Sequence, residues 1–485
     1  MDNNNNKKIH IINDEGDIVS MQMPEITEQP AIEAKENHNV GTINQPTDDW
    51  FPITRSRKGN SWTATFHLLS SGIGTQALSL PLAFVYLGWF WGIVCLFVAY
   101  IWQLYTIGLL LNLHESVSGV RYSRYIELSI AAFGAKLGKL FALFPVMYLS
   151  GGTCVLFIIT GGRTMKLFYQ LLCAEDCSSK NSFTTTEWFL VFVCLAILVS
   201  LFCSNLHSVA FVSFLGATMA IAYCTILWIV FVAKGRVDDV AYDTSETVTS
   251  EAGKTRSIFT ALGIIAVAFR GHNVVLEIQG TMPSTTNRPS SKLMWKGVVA
   301  SYVIIAMCLF PLAIVGYWAF GNKFPVNGGM LTALSSTLEY NASKPLLGLI
   351  YVQVIISSIA AFQIYAMVVF DNLERAYALI KSKECPKLTR MGIRIFYGGF
   401  TFFISVAFPF LPSLALLVGG IALHLTFGYP CLMWMAIKRP SMKSIRWWLN
   451  FALGCLGTGL SVVVVVGAVW NLVCRGLDAN FFHPR

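Results

Sequence analysis

Apolar runs recur along this chain with polar stretches between them. Eleven approach or exceed the roughly 20 helical residues that cross a bilayer. They cover 62–86, 89–113, 138–162, 187–204, 207–233, 257–282, 297–319, 345–370, 392–410, 412–436 and 448–474. Two stretches, "WFWGIVCLFVAYIWQLYTIGLLLNL" (89–113) and "GTGLSVVVVVGAVWNLVC" (457–474), contain no charged residue. The pattern predicts an all-α polytopic protein of the lipid bilayer with its membrane domain over 59–474. Residues 1–58, polar and rich in Asn, Glu, Gln and Pro, read as a flexible tail, and 475–485 as a second, short one.

Composition agrees, with 55% hydrophobic and only 13% charged residues, against about 25% charged in a soluble domain. The net charge of +9 does not point to nucleic acid, because the cations sit mostly in short loops. With the N-terminus in the cytosol and the spans alternating, the inside loops hold about 20 Lys and Arg and the outside segments about 11. An odd number of spans then puts the C-terminus outside. The sequon at Asn341 falls outside as a glycosylation candidate. So does the polar loop with Cys173 and Cys177, a candidate disulfide. The start of the chain has no apolar core of a cleavable signal. No His, Cys, Asp or Glu spacing suits a metal, and no P-loop or soluble nucleotide domain is visible, so no metal, no cofactor and no ATP-driven pump are expected.

Two spans are poor continuous helices. The first, "TFHLLSSGIGTQALSLPLAF", places Ser70, Ser71, Gly72, Gly74 and Thr75 near mid-membrane. The sixth, "ALGIIAVAFRGHNVVLEIQGTMP", places Phe269, Arg270, Gly271, His272 and Asn273 there. Glycine and short polar residues weaken helices, and unwound backbone survives in a membrane only where protein or a cavity satisfies it. Breaks five spans apart fit a 5+5 inverted repeat with one extra C-terminal helix, and a binding site at the repeat interface. Free amides at the restarted first span favour an anion, and free carbonyls at the end of the outer half of the sixth favour a cation. Together they suit a zwitterion, with an α-amino acid the obvious choice. The same glycines would also serve close helix packing.

The stretch "GHNVVLEIQGTMPS" (271–284) resembles the sixth span of plant lysine-histidine-transporter-like permeases, in the amino acid/auxin permease family. Similar likeness runs through "RYIELSIAAFGAKLG" (124–138), "PSSKLMWKGVVASYVIIAMCLFPLAIVGYWAFGN" (289–322), "QIYAMVVFDNLE" (363–374) and "FPFLPSLALLVGG" (408–420). The resemblance implies the amino acid–polyamine–organocation transporter fold, proton-coupled uptake of amino acids, and the plasma membrane. It assigns Ser71, Gly72 and Gly74 to the family's broken first helix and Gly271, His272, Asn273 and Glu277 to its sixth-helix motif. The chain departs from the family at Thr75 and Gln76, where Ala-Gly is common, at Arg270, where a small residue is common, and at Val368, where proline is frequent.

Three ionisable residues of the sixth span are candidates for ion coupling: Glu277 and His272 as proton sites, and Arg270 as a fixed cation in the place of a coupling ion or as a bidentate partner of the substrate carboxylate. Each has a structural alternative. Glu277 would accept hydrogen bonds from neighbouring helix ends, Arg270 would cap unwound carbonyls, and His272 would wedge the break as a neutral ring. Aromatic residues Phe66, Phe269, Phe362 and Tyr365 are pocket-wall or packing residues. The leading function is a secondary transporter of small amino acid substrates, not an enzyme. A transporter-derived sensor with little flux and a membrane-embedded enzyme are the alternatives, and the oligomeric state is left open.

Overall fold

The computed structural model describes residues 9–12, 18–21, 50–117, 120–173, 183–203, 205–242, 251–269, 271–285, 287–326, 329–338, 344–408 and 411–475. Contacts divide the chain into two units, 1–44 and 45–485. In the first, β1 (Ile9–Ile12) pairs antiparallel with β2 (Ile18–Met21), Ile9 opposite Met21.

The second unit is helical throughout its membrane portion. Helix α1 (Ser61–Gly72) starts at a capping box in which Asn60 Oδ1 accepts the Thr63 amide at 2.9 Å, while Thr63 Oγ1 accepts the Asn60 amide. It stops after 12 residues. A single 3-10 stretch, Thr75–Ser79, leads to α2 (Leu80–Leu113), opened by Pro81 in its first turn. Gly88, at φ 72° and ψ 179°, breaks the helical path of α2. Residues 80–87 therefore complete the first expected span and 89–113 form the second.

The remaining elements follow the hydropathy pattern closely. They are α3 (Tyr125–Phe133), α4 (Ala135–Cys173), α5 (Thr185–Phe202), α6 (Ala210–Lys234), α7 (Glu251–Ala268), α8 (His272–Gly280), α9 (Ser290–Phe320), α10 (Gly329–Leu338), α11 (Lys344–Lys381), α12 (Lys387–Ala407), α13 (Leu411–Leu423), α14 (Tyr429–Lys438) and α15 (Ile445–Arg475). A π-helical segment, His424–Gly428, joins α13 to α14. Among the described residues, nine helices are long and apolar enough to span a membrane. The two expected spans outside that set have physical reasons to be. The first is interrupted at Gly72, and α12 carries a polar buried face with Arg394, Thr401 and Ser405.

Helix α11 is the central strut, packed along both α4 and α6. Its crossing with α6 depends on Gly216, where a Cβ would lie 2.3 Å from the Ala360 Cβ. The helix runs beyond the boundary expected at residue 370, and the extra turns bury Asp371 and Glu374 at the end of the bundle that carries most of the cationic loops. There Arg124 Nε meets Asp371 Oδ2 at 2.5 Å and Arg124 Nη1 meets Glu127 Oε1 at 2.9 Å. Burial opposes the Arg124 charge, but the Asp371 carboxylate outweighs it and holds the guanidinium above its ordinary pKa. Arg375 adds a second cation to Glu127, and Arg390 reaches both Glu374 and Glu384 at 3.0 Å.

Residues from Trp50 onward pack against the bundle. Phe51 and Ile53 are buried, because the chain from Trp50 onward lays apolar side chains across this ionic network. The Ile53 amide donates to Asp371 Oδ1 at 3.2 Å, the Arg124 guanidinium stacks 4.9 Å over the Phe51 ring, and Arg390 donates to the Trp50 carbonyl.

Removing one partner of a buried ion pair typically costs about 3–5 kcal/mol, whereas replacing both by apolar residues costs far less. Asp371→Asn is therefore expected to lower the apparent melting temperature of the purified protein sharply, and Arg124→Met with Asp371→Leu to recover much of the loss. Equal melting of Asp371→Asn and wild type would show that the pair does not hold this end together.

Candidate functional site

The two interruptions expected from sequence meet in the interior. Gly271 sits at φ 126° between α7 and α8, a backbone conformation that disfavours any side chain. A Cβ placed there would make only an ordinary van der Waals contact, with the Ser71 hydroxyl at 3.8 Å. On the other side, α1 ends and Gly74 is extended at φ −92° and ψ 169°. Neither the 3-10 stretch after Gly74 nor α8 after Gly271 receives a side-chain cap. The first amides of a helix have no partner within it, so the amides that open both segments must look outside their own helix for acceptors.

Three side chains hold the broken ends. The Tyr365 phenol on α11 donates to the Ser71 carbonyl at 3.0 Å, closing the last turn of α1. On α8, His272 Nε2 lies 2.9 Å from Thr106 Oγ1 of α2, and Asn273 Nδ2 donates to Ser150 Oγ of α4 at 2.8 Å. Both α8 residues are fully buried, and each keeps one polar atom, His272 Nδ1 and Asn273 Oδ1, without a hydrogen bond. Ser71 Oγ turns back to the His67 carbonyl at 2.8 Å.

Not every expected residue faces the break. The Ser70 hydroxyl points toward α6, 2.9 Å from where a Gly216 side chain would begin, because it lies about 100° round the helix from Ser71. Phe269, buried just past the end of α7, meets Tyr100 of α2 and Phe310 of α9 in tilted ring contacts at 5.8 and 6.5 Å. Glu277 lies farther along α8, where Oε1 accepts the Tyr125 amide at the start of α3 at 3.4 Å and Oε2 has no hydrogen-bond partner. It is not the sole buried carboxylate, since Asp371 and Glu374 share that end. Gly72 is the last residue of α1. The side chain of Thr75, all of Arg270, and Cys177 and Asn341 lie outside the described residues, while Cys173 ends α4. Among the described residues no cluster of His, Cys, Asp or Glu could hold a metal.

Thr106, Ser150 and Tyr125, which anchor α8, and the role of Tyr365 went unread in the sequence. Their common signal is a hydroxyl or free amide facing a broken helix from another span.

Comparison with known proteins decides the class. The family model described as "Transmembrane amino acid transporter protein" matches residues 57–473. The chain is a member of this family. It is 48% identical over 439 residues to "Lysine histidine transporter-like 8" of Arabidopsis thaliana, covering 90% of this chain and 84% of that one. It is 45% identical over 466 residues to "Lysine histidine transporter-like 7" of the same plant, covering 95% of each. The fold is similar to the crystal structure of MhsT in complex with L-phenylalanine, with TM-score 0.55 and 12% identity over 85% of this chain and 100% of that one. The protein is thus a multi-pass amino acid transporter, not an enzyme, with the 5+5 inverted-repeat architecture and broken first and sixth spans.

Because a Cβ at Gly271 would meet the Ser71 hydroxyl only at contact distance, Gly271→Ala should fail through backbone strain and not through a clash. A non-glycine residue held at such a φ costs about 1–3 kcal/mol. The variant is expected to reach the membrane with reduced thermal stability and sharply reduced uptake. Asn273→Ala should lose uptake too, by freeing α8 from α4. Wild-type uptake in both would remove the break from the transport site.

Proposed function

We propose that the protein is a proton-coupled symporter of α-amino acids in the plasma membrane, with a cytosolic N-terminus and an extracellular C-terminus. Substrate binds at mid-membrane between Gly72–Gly74 of the first span and Gly271–Asn273 of the sixth, and access alternates as one bundle rocks against the other. The observation that carries this reading is that the end of α1 and the break at Gly271 come together, the Ser71 hydroxyl lying 3.8 Å from where a Gly271 side chain would begin, with no side-chain cap on the segment that follows either break. The amides beginning at Gly74 suit the substrate carboxylate, and the carbonyls ending α7 suit its ammonium.

Glu277 is the preferred proton site. It is buried, has an oxygen without a partner, and sits on α8, the inner half of the broken span. A carboxylate that alternates between neutral and ionised forms needs such a setting. Arg270 precedes Gly271 in the sequence, and its guanidinium is a candidate second partner for the carboxylate held by the amides that begin at Gly74.

The test is uptake of labelled amino acids, including lysine and histidine, into a transport-deficient cell at acid and neutral external pH. Wild type should take up more at acid pH. Glu277→Gln should lose that pH dependence, and Arg270→Ala should lose uptake. Uptake equal at both pH values would remove proton coupling. Absence of uptake with the protein confirmed at the surface, but with amino acid binding retained, would make it a sensor.

A further inference from the structure

Four cations lie between α14 and α15: Lys438, Arg439, Lys443 and Arg446, with no Asp or Glu anywhere from Tyr429 to Asn450. Their setting differs from that of the other cationic loops at this end of the bundle. Arg121, Arg124, Arg375 and Arg390 are each paired with a carboxylate. Among the described residues, none of the four between α14 and α15 forms an ion pair.

Two of them, Lys438 and Arg446, line a cavity of about 600 Å³ together with Asn112, Trp434, Pro440, Ser441 and Ser444. Its shape is held by the neighbouring helices. Arg439 takes a left-handed conformation at φ 43° and ψ 54°, turning the chain out of α14. Asn450 donates to the Arg446 carbonyl at 2.9 Å and accepts from the Tyr105 hydroxyl at 3.1 Å, which fixes the first turns of α15 to α2. Ser441 Oγ accepts the Lys443 amide at 3.4 Å and Ser444 Oγ accepts the Arg446 amide at 3.3 Å, so both hydroxyl hydrogens are left to donate. The lining thus offers two cations, two hydroxyl donors and an amide, a set that matches a phosphate carried on a polar headgroup.

The level of the cavity selects the source of that phosphate. Trp447 stacks on Phe451 at 5.0 Å and meets Trp448 edge-on at 4.8 Å, just below the cationic turn. Trp rings concentrate where the hydrocarbon meets the headgroups, and Trp434 lines the cavity itself. Basic pockets between helix ends at that level suit anionic lipid headgroups. We propose that the cavity between the ends of α2 and α14 and the start of α15 binds the phosphorylated headgroup of an anionic membrane lipid, with Lys438 and Arg446 on the phosphate and Ser441, Ser444 and Asn112 on the polar head. The site lies apart from the broken helices and is independent of the transport mechanism.

The experiment uses full-length protein in phosphatidylcholine nanodiscs doped with a phosphatidylinositol monophosphate, and measures lipid retained by native mass spectrometry. Wild type should retain the lipid, and Lys438→Gln with Arg446→Gln should weaken retention by roughly tenfold or more. Arg288→Gln with Lys292→Gln, a control on two exposed cations at the same end, should leave it unchanged. Equal weakening in both double variants would reduce the effect to general surface charge and overturn the site. Unchanged retention in Lys438→Gln with Arg446→Gln would overturn it as well. Soluble inositol monophosphate displacing the lipid at equal concentration would overturn the lipid source in favour of a free phosphate.

Discussion

Unwound backbone inside a membrane must be satisfied by the protein itself, and this structure is arranged around two places where that demand arises. The first and sixth spans are each interrupted, their leading helices stopping at Gly72 and Ala268. The ends are held from outside the broken spans: Tyr365 of α11 closes α1, while Thr106 of α2 and Ser150 of α4 hold α8. Helices that look like a uniform apolar shell in hydropathy therefore divide into supports for the breaks and a lipid-facing exterior. The side chains doing the supporting are hydroxyls, which reach carbonyls, amides and imidazole without bringing charge into the hydrocarbon.

The cationic end of the bundle depends on a different interaction. Arg124, Asp371, Glu127 and Arg375 form a buried network over which residues 50–55 pass. Glu277 accepts the amide of Tyr125, the residue next to Arg124, so α8 is tied to the same cluster. In the proposed cycle, opening this end would require α8 to part from α3 or the Arg124–Asp371 pair to separate. That connection gives a physical route between a carboxylate on the broken span and the closure of one end. Pairs of this kind carry a large desolvation cost when one member is left alone, which favours two discrete arrangements over gradual opening.

Much of this was legible in the primary structure. Each apolar run has its counterpart in a helix or helix pair, and both breaks fall where glycine and short polar residues interrupt otherwise apolar segments. The signals are local, which is why a single sequence carries them. What it did not carry is long-range or depends on helical phase. The Arg124–Asp371 pair joins residues 247 apart, and no local pattern announces that α11 continues past residue 370 to bury Asp371. Ser70 and Ser71 look equivalent as neighbours in an apolar run, yet one faces α6 and the other faces Gly271, because one residue is about 100° of helix. Tyr365 reads as one aromatic among many until the end of α1 is placed beside it.

The most direct test of the central claim is an experimental structure of the protein with an amino acid bound. The account predicts substrate density between Gly72–Gly74 and Gly271–Asn273, with the carboxylate against the amides that begin at Gly74 and the ammonium against the carbonyls that end α7. Density elsewhere in the bundle, with both breaks bridged only by protein groups, would contradict it and leave the unwound segments as packing devices.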